Sequence, residues 1–205
     1  MGSLRRLSIN HPPSSLVGFG KGLKLKNSSS ADSKLLTING NLRVLGVDPG
    51  SSTTGYGVIE GDGRKTRLVE YSGIKVASSL SIPDRLLLIS TKLEEVISRL
   101  RPDACAVEET FFATNVKSAL SLGQVRGAVL LTAARNGVPV FDYSPLEIKQ
   151  ALVGYGRAEK HQVQEMVRLL LGLKISPKPL DASDALAAAI CHLNTFATRA
   201  RQGRE

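Results

Sequence analysis

Four acidic residues of this chain stand where a charged side chain costs free energy. Two of them end short apolar, β-rich runs, and the other two open an otherwise uncharged helical run. An unpaired carboxylate in such a place is unfavourable unless it is hydrogen-bonded, paired or bound to a metal ion. The four residues are Asp48, Glu108, Asp181 and Asp184. Their placement makes them candidates for a catalytic or metal-binding site.

Each acid also has an ordinary structural explanation. Asp48 fits the first position of a turn, Asp181 fits a helix N-cap, and Asp184 would interact favourably with the helix dipole. Glu108, with Glu109 beside it, fits a solvated strand end. The four together favour a functional site over these separate explanations, because two strands and one helix would bring them to one end of a sheet. Asp181 and Asp184 are three residues apart and share a helix face.

The chemistry of such a cluster points to a hard divalent cation. Carboxylates packed together repel one another and raise one another's pKa, and a cation removes that penalty. Oxygen ligands without His or Cys favour Mg²⁺ or Mn²⁺ over zinc. Two such ions about 4 Å apart activate a water and stabilise the leaving oxygen of a phosphodiester. The three histidines lie apart in the sequence and offer no zinc site.

The elements that position these acids follow from the hydrophobic pattern and the turn residues. A three-strand meander is followed by alternating helices and strands and then by helices, which predicts a mixed α/β sheet flanked by helices. Ser144, Pro145 and Glu147 form a capping box with proline at the first helical position. Strands are predicted over 43–48, 55–60, 66–76, 104–107 and 138–143, and helices over 83–100, 115–135, 144–154, 159–171 and 181–198.

The charge balance favours a polyanionic partner. The chain has 205 residues, with 27 Lys and Arg against 18 Asp and Glu, a formal net charge of +9. Residues 1–42 hold six basic residues and one acidic residue, and residues 110–178 hold nine basic and four acidic residues. Such a partner is a nucleic acid or an anionic membrane face, and the charge alone does not separate the two. The second segment lies inside the predicted fold, so it is the better candidate for a surface that binds a polyanion.

Composition also divides the chain into a globular domain and two tails. Residues 1–42 are rich in serine and show no sustained period. Three interpretations stay open for them: a disordered basic extension, an organelle transit peptide, or the product of a mis-assigned start codon. The globular domain is predicted over 43–198, followed by a basic C-terminal tail over 199–205. No apolar run approaches the roughly 18 residues of a membrane span.

Five segments resemble, in order and spacing, the motifs of the RuvC family of Holliday junction resolvases. The first is Val47-Asp48-Pro49-Gly50, and the others cover residues 107–112, 119–127, 149–160 and 181–187. The resemblance extends from about residue 43 to about residue 194. The 42 residues before it have no counterpart in the family, which leaves the compartment and the true start open.

The resemblance implies a fold, an activity and partners. The fold is ribonuclease H-like, a mixed five-stranded sheet flanked by helices. The activity is structure-selective endonuclease cleavage, in which a homodimer nicks two strands of like polarity in four-way DNA junctions during recombination and repair. The cofactor is Mg²⁺, two ions per active site, with Mn²⁺ as a substitute. Branch-migration helicases are implied as partners, and the bacterial cytoplasm as the location, or an organelle if residues 1–42 are a transit peptide.

The resemblance also implies residue roles. Asp48, Glu108, Asp181 and Asp184 match the four metal-binding acids, Lys149 and Lys160 match basic residues near the scissile phosphate, and Phe111 matches an aromatic that stacks near the junction centre. From these matches we expect Lys160 to stabilise developing negative charge. Lys149 is expected to position the DNA backbone. The helix that contains Gln124 and Gly127 matches the dimer-forming region.

Three other functions compete with this interpretation. The segment from Asp48 to Gly55 resembles the first phosphate loop of sugar kinases and actin-like ATPases, but about 150 further residues are too few for the second half of such proteins. A non-catalytic junction-binding protein would have little use for all four acids. A relative of the same fold that acts on RNA stays open, and a substrate panel would test it.

Overall fold

A computed structural model describes residues 41–109 and 116–202 of this protein. Five strands and five helices occur in that part of the chain. The strands are β1 (Leu42–Asp48), β2 (Thr53–Gly61), β3 (Thr66–Lys75), β4 (Ala104–Glu108) and β5 (Val140–Tyr143). The helices are α1 (Ile82–Leu100), α2 (Val116–Arg135), α3 (Pro145–Val153), α4 (Lys160–Leu170) and α5 (Leu180–Gln202).

The strands form one mixed sheet in the order β3-β2-β1-β4-β5. The first three strands are an antiparallel meander, whereas β1 with β4 and β4 with β5 run parallel. Helices cover both faces: α3, α4 and α5 pack on one, and α1 and α2 pack on the other. The prediction of a mixed five-stranded sheet flanked by helices is confirmed.

The pleat of the two central strands determines where their acidic ends point. In β1 and β4, Val47 and Val107 are paired and belong to the core under α1 and α2. Side chains alternate between faces along a strand. Asp48 and Glu108 follow these valines and therefore point to the opposite face, which α5 covers.

Helix α5 lies unusually close to this face because glycines line the strands beneath it. A Cβ atom added to Gly46 would overlap the carbonyl oxygen of Ala185, and one added to Gly55 would overlap the carbonyl of Asp181. Gly55 is also the residue paired with Asp48 across β1 and β2. The first turn of α5 therefore rests directly beside the end of β1.

Several predicted boundaries differ from the structure, most of them by one or two residues, and two of the differences have clear local reasons. The last strand begins at Val140 rather than 138, because the Val138 N–H donates to Ala133 at the end of α2 and Pro139 has no N–H to give. The expected end of the domain at 198 falls inside α5, which continues to Gln202. No helix-breaking residue interrupts this segment before Gly203 in the sequence.

The capping box predicted at the start of α3 is confirmed. The Ser144 hydroxyl accepts from the Glu147 N–H, and the Glu147 carboxylate accepts from the Ser144 N–H at 2.8 Å.

Within the described ranges, no helix is both long and apolar enough to cross a lipid bilayer.

The close approach of α5 predicts a strong effect of one methyl group. Gly46→Ala would place its Cβ against the backbone of α5, which no side-chain rotation relieves, so we expect a loss of about 2–3 kcal/mol in unfolding free energy. Chemical denaturation of the two proteins measures this loss.

Gly156→Ala is the matched control. The added Cβ would overlap a Leu146 methyl carbon, but that leucine is 55% exposed and can rotate away. We expect a change below about 1 kcal/mol. Equal stability losses in the two variants would contradict the proposed role of the glycine contact.

Candidate active site

Asp48 is the most perturbed carboxyl group of the described chain. Burial, the largest cause, and the nearby charges of Glu108, Asp184 and Asp181 together raise its pKa from the usual 3.8 to about 7. The ammonium of Lys160 acts in the opposite direction and offsets only part of this. The four predicted acids are therefore close enough to interact electrostatically, and Asp48 is where their repulsion is most strongly felt.

Glu108 experiences the same surroundings from the neighbouring strand. Burial raises the pKa of its carboxyl group, the charge of Asp184 raises it further, and the lysines 160 and 149 lower it. Glu108 pairs with Tyr143 of β5 in the parallel register. This pairing fixes the strand end from which the Glu108 side chain leaves the sheet.

Lys160 provides a direct counter-charge to the acids of α5. Its Nζ lies 2.7 Å from Asp184 Oδ2, and the Asp184 side chain is only 17% exposed. The hydrogen bond to Asp184 raises the pKa of Lys160, with smaller contributions from Asp48 and Asp181. The lysine is therefore charged at neutral pH and tied to the carboxylate cluster.

A cavity of about 250 Å³ opens onto part of this cluster. Two acids and two lysines provide its polar walls, and apolar residues of α3, α4 and α5 complete it. The lining residues are Glu108, Pro145, Ile148, Lys149, Lys160, Val163, Asp184 and Ala187. Asp48 interacts electrostatically with both acids and with Asp181, but neither Asp48 nor Asp181 lines the cavity. Its walls thus combine carboxylates, which attract a cation, with ammonium groups, which attract a phosphate.

The donor set fits a hard divalent cation. All four candidate ligands are carboxylates, and their mutual repulsion is what a bound cation would relieve. Among residues 41–109 and 116–202, no three His, Cys, Asp or Glu side chains are gathered tightly enough to hold a metal ion by themselves.

The structure brings together six of the seven predicted site residues. Lys149, on α3, reaches the cavity wall beside Glu108, and Lys160 begins α4. Phe111 lies outside the described residues. Sequence reasoning missed the glycines that let α5 approach the sheet. Their signal was present, since Gly55 and Gly57 alternate on one face of a strand, where glycine often marks a close backbone approach.

Comparison with known proteins assigns the chain to a protein family. A family model described as crossover junction endodeoxyribonuclease RuvC matches residues 44–192. The chain belongs to the RuvC family. RuvC of Chloroflexus aggregans is 51% identical over 162 residues, which cover 79% of this chain and 99% of that protein. RuvC of Ruminiclostridium cellulolyticum is 47% identical over 162 residues, which cover 79% and 98%.

Solved structures of RuvC agree in fold. Thermus thermophilus RuvC in complex with Holliday junction substrate superposes with a TM-score of 0.72 at 41% identity, covering 79% of this chain and 96% of that chain. The yeast mitochondrial Holliday junction resolvase is only 16% identical, with a TM-score of 0.56 over 79% and 82% of the two chains. That more distant likeness establishes the shared fold.

The raised pKa of Asp48 predicts how stability depends on pH. Its folded-state pKa of about 7 lies above the usual 3.8, so the folded protein binds more protons than the unfolded one between these values. In EDTA, the contribution of Asp48 to stability should therefore fall as pH rises from 4 to 7. Buried His192, whose pKa is lowered from 6.5 to about 4, contributes a rise over part of this range in both the native protein and the variant, so the Asp48 effect is read as the difference between the two. Asp48→Asn should remove most of this fall and melt at a higher temperature than the native protein at pH 8.

Divalent metal is the control for this pH effect. At pH 8, added Mg²⁺ should raise the melting temperature of the native protein more than that of the Asp48→Asn variant, because metal binding requires the charged carboxylate. Parallel melting profiles of the two proteins across pH 4–8 in EDTA would show that Asp48 has an ordinary pKa.

Proposed function

We propose that this protein is a Holliday junction resolvase, an endonuclease that nicks two strands of like polarity in four-way DNA junctions by hydrolysis of phosphodiester bonds. The observation that carries the proposal is the electrostatic coupling of Asp48 to Glu108, Asp181 and Asp184 at one end of the sheet. The relation to RuvC proteins and the structure of one of them with Holliday junction substrate support it.

The roles of the side chains follow from where they stand. Asp48 and Glu108 from the strands, with Asp181 and Asp184 from α5, would hold two Mg²⁺ ions, for which Mn²⁺ would substitute. When bound, these ions supply Lewis-acid polarisation of the phosphodiester and lower the pKa of a water. The precise distances among the acids depend on α5 remaining seated on the glycines of β1 and β2.

The two lysines serve the DNA rather than the metal. The Lys160 ammonium reaches the acids but keeps a 63% exposed side chain, so it can also donate to a phosphate oxygen as negative charge develops there. Lys149, on the cavity wall, would contact the backbone of the cleaved strand. Phe111 is proposed, by family resemblance alone, to stack near the junction centre.

A homodimer would supply two such sites for two strands. Helix α2 presents an exposed face at three- and four-residue spacing, with Leu120 and Leu131 63% and 60% exposed. Between them, Cβ atoms added to Gly123 and Gly127 would meet no heavy atom of the described residues within 4 Å, apart from the adjoining backbone of α2 itself. Exposed leucines around small residues allow two helices to approach closely across a two-fold axis.

Asp48→Asn is the test of the proposed activity. The substitution preserves shape but removes a charge needed for metal binding, so cleavage of a four-way junction in Mg²⁺ should fall by at least about 100-fold. Junction binding should be retained, because the acid makes no favourable contact with phosphates. Gel-based single-turnover cleavage and a binding titration in Ca²⁺ measure the two quantities.

Lys92→Ala is the control for this experiment. Lys92 lies on α1, on the opposite face of the sheet, and pairs with Glu95. Its removal should leave cleavage unchanged. Native cleavage rates in Asp48→Asn would refute the assignment of the acid, and an inert native protein on four-way junctions would refute the function itself.

The dimer is tested by a charge placed on the exposed face of α2. Leu131→Glu should shift the protein from dimer to monomer in analytical ultracentrifugation, since the carboxylate would be buried against its symmetry mate. Leu169→Glu, a 56% exposed leucine of α4, is the matched control and should leave the mass unchanged. A monomeric native protein, or a dimeric Leu131→Glu variant, would contradict this interface.

Further proposals rest on family resemblance. They are association with a branch-migration helicase, and a location in the bacterial cytoplasm or, if residues 1–42 are a transit peptide, in an organelle. We also propose that the residues before β1 are an extension outside the nuclease domain. The boundary predicted after residue 42 is one residue too late, because Leu42 belongs to β1 and is 1% exposed. The basic segment after 198, whose first residues belong to α5, is proposed to add to DNA attraction.

A further inference from the structure

The short connection between α3 and α4 is held firmly at both ends. Gly154 ends α3 in the left-handed conformation, with φ of 88°, and its N–H donates to the Gln150 carbonyl at 3.0 Å. Ala158, near the other end, is 1% exposed and belongs to the core beneath α5. The residues between these anchors are therefore presented at the surface in a defined position.

Tyr155 occupies this connection with its ring at the surface. The residue is 48% exposed, although tyrosine is a large amphipathic side chain. Its hydroxyl donates to Gln162 Oε1 at 3.0 Å, and the same oxygen accepts from the Glu159 N–H at 2.8 Å. Both donors thus share one acceptor at the N-terminal turn of α4. The phenol is fixed there, whereas half of the side chain has no protein contact.

The segment that contains Tyr155 is rich in basic residues. Between Lys149 and Lys160 the chain holds three cations, with Arg157 the third, against the single carboxylate of Glu159. Lys160 begins α4 and forms the ion pair with Asp184 in the candidate active site. The exposed ring therefore stands at the helix end that carries the active-site lysine. Cations that follow a phosphate backbone, combined with an aromatic face, are the usual means of binding single-stranded nucleic acid.

We propose that Tyr155 stacks on an unpaired nucleobase of the cleaved strand, next to the scissile phosphodiester. The inference rests on the proposed junction-cleaving function and adds a base-contacting residue to it. The hydrogen bond to Gln162 holds the ring in place before DNA arrives, which lowers the entropy lost on binding. Because every base has a π-face, this contact holds the strand in register, and it favours those sites where the flanking pair opens easily.

The experiment compares the native protein with Tyr155→Ala and Tyr155→Phe on four-way junctions. Each junction carries 2-aminopurine at one position flanking the cleavage site. Tyr155→Ala should lower kcat/KM by about 5- to 100-fold. It should also abolish the fluorescence change that stacking produces at one labelled position. Tyr155→Phe keeps the ring and should restore both. Lys92→Ala, on the far face of the sheet, should behave as the native protein.

The results that would refute the resolvase function differ from those that would refute the Tyr155 stacking contact. Fluorescence is read on the Asp48→Asn background in Ca²⁺, so it does not depend on cleavage. An inert native enzyme that still shows the Tyr155-dependent fluorescence change would refute the resolvase function but keep the stacking contact. A cleaving enzyme whose Tyr155→Ala variant matches it in both measurements would overturn the inference. Equal losses in Tyr155→Ala and Tyr155→Phe would also overturn it, since they assign the effect to the Gln162 hydrogen bond.

Discussion

The contact between the first turns of α5 and the glycines of β1 and β2 determines the rest of the site. Any larger residue at Gly46 or Gly55 would lift the helix away from the sheet. With the helix seated, Asp181 and Asp184 stand beside the acidic ends of the two central strands. The packing of uncharged backbone therefore forces four carboxylates into one region, against their mutual repulsion.

That repulsion contributes to the raised pKa of Asp48. Without a cation, burial and three neighbouring acids hold its pKa near 7, and Lys160 compensates only in part. Such a site favours a divalent cation strongly, because metal binding relieves repulsion as well as forming new bonds. In the proposed function, the Lys160 ammonium would exchange its Asp184 partner for a phosphate oxygen when DNA binds.

Much of this was visible in the sequence because it depends on local patterns. Short apolar, β-rich runs predicted the strands that end in Asp48 and Glu108. The three-residue spacing of Asp181 and Asp184 placed both acids on one face of α5. The pairing of Lys160 with Asp184 was not visible, since it depends on how α4 packs against α5. The anchoring of Tyr155 by Gln162 likewise requires the loop geometry between α3 and α4. The extension of α5 to Gln202 was missed because propensity locates helix ends poorly.

The central claim is that four convergent carboxylates make Asp48 a high-pKa group that a divalent cation converts to its charged form. Carbon-13 NMR titration of the Asp48 carboxyl carbon, with and without Mg²⁺, tests it directly. We expect a pKa near 7 in metal-free protein and a clear decrease when Mg²⁺ is added. A pKa near the ordinary 3.8 in the metal-free protein, unchanged by Mg²⁺, would contradict it.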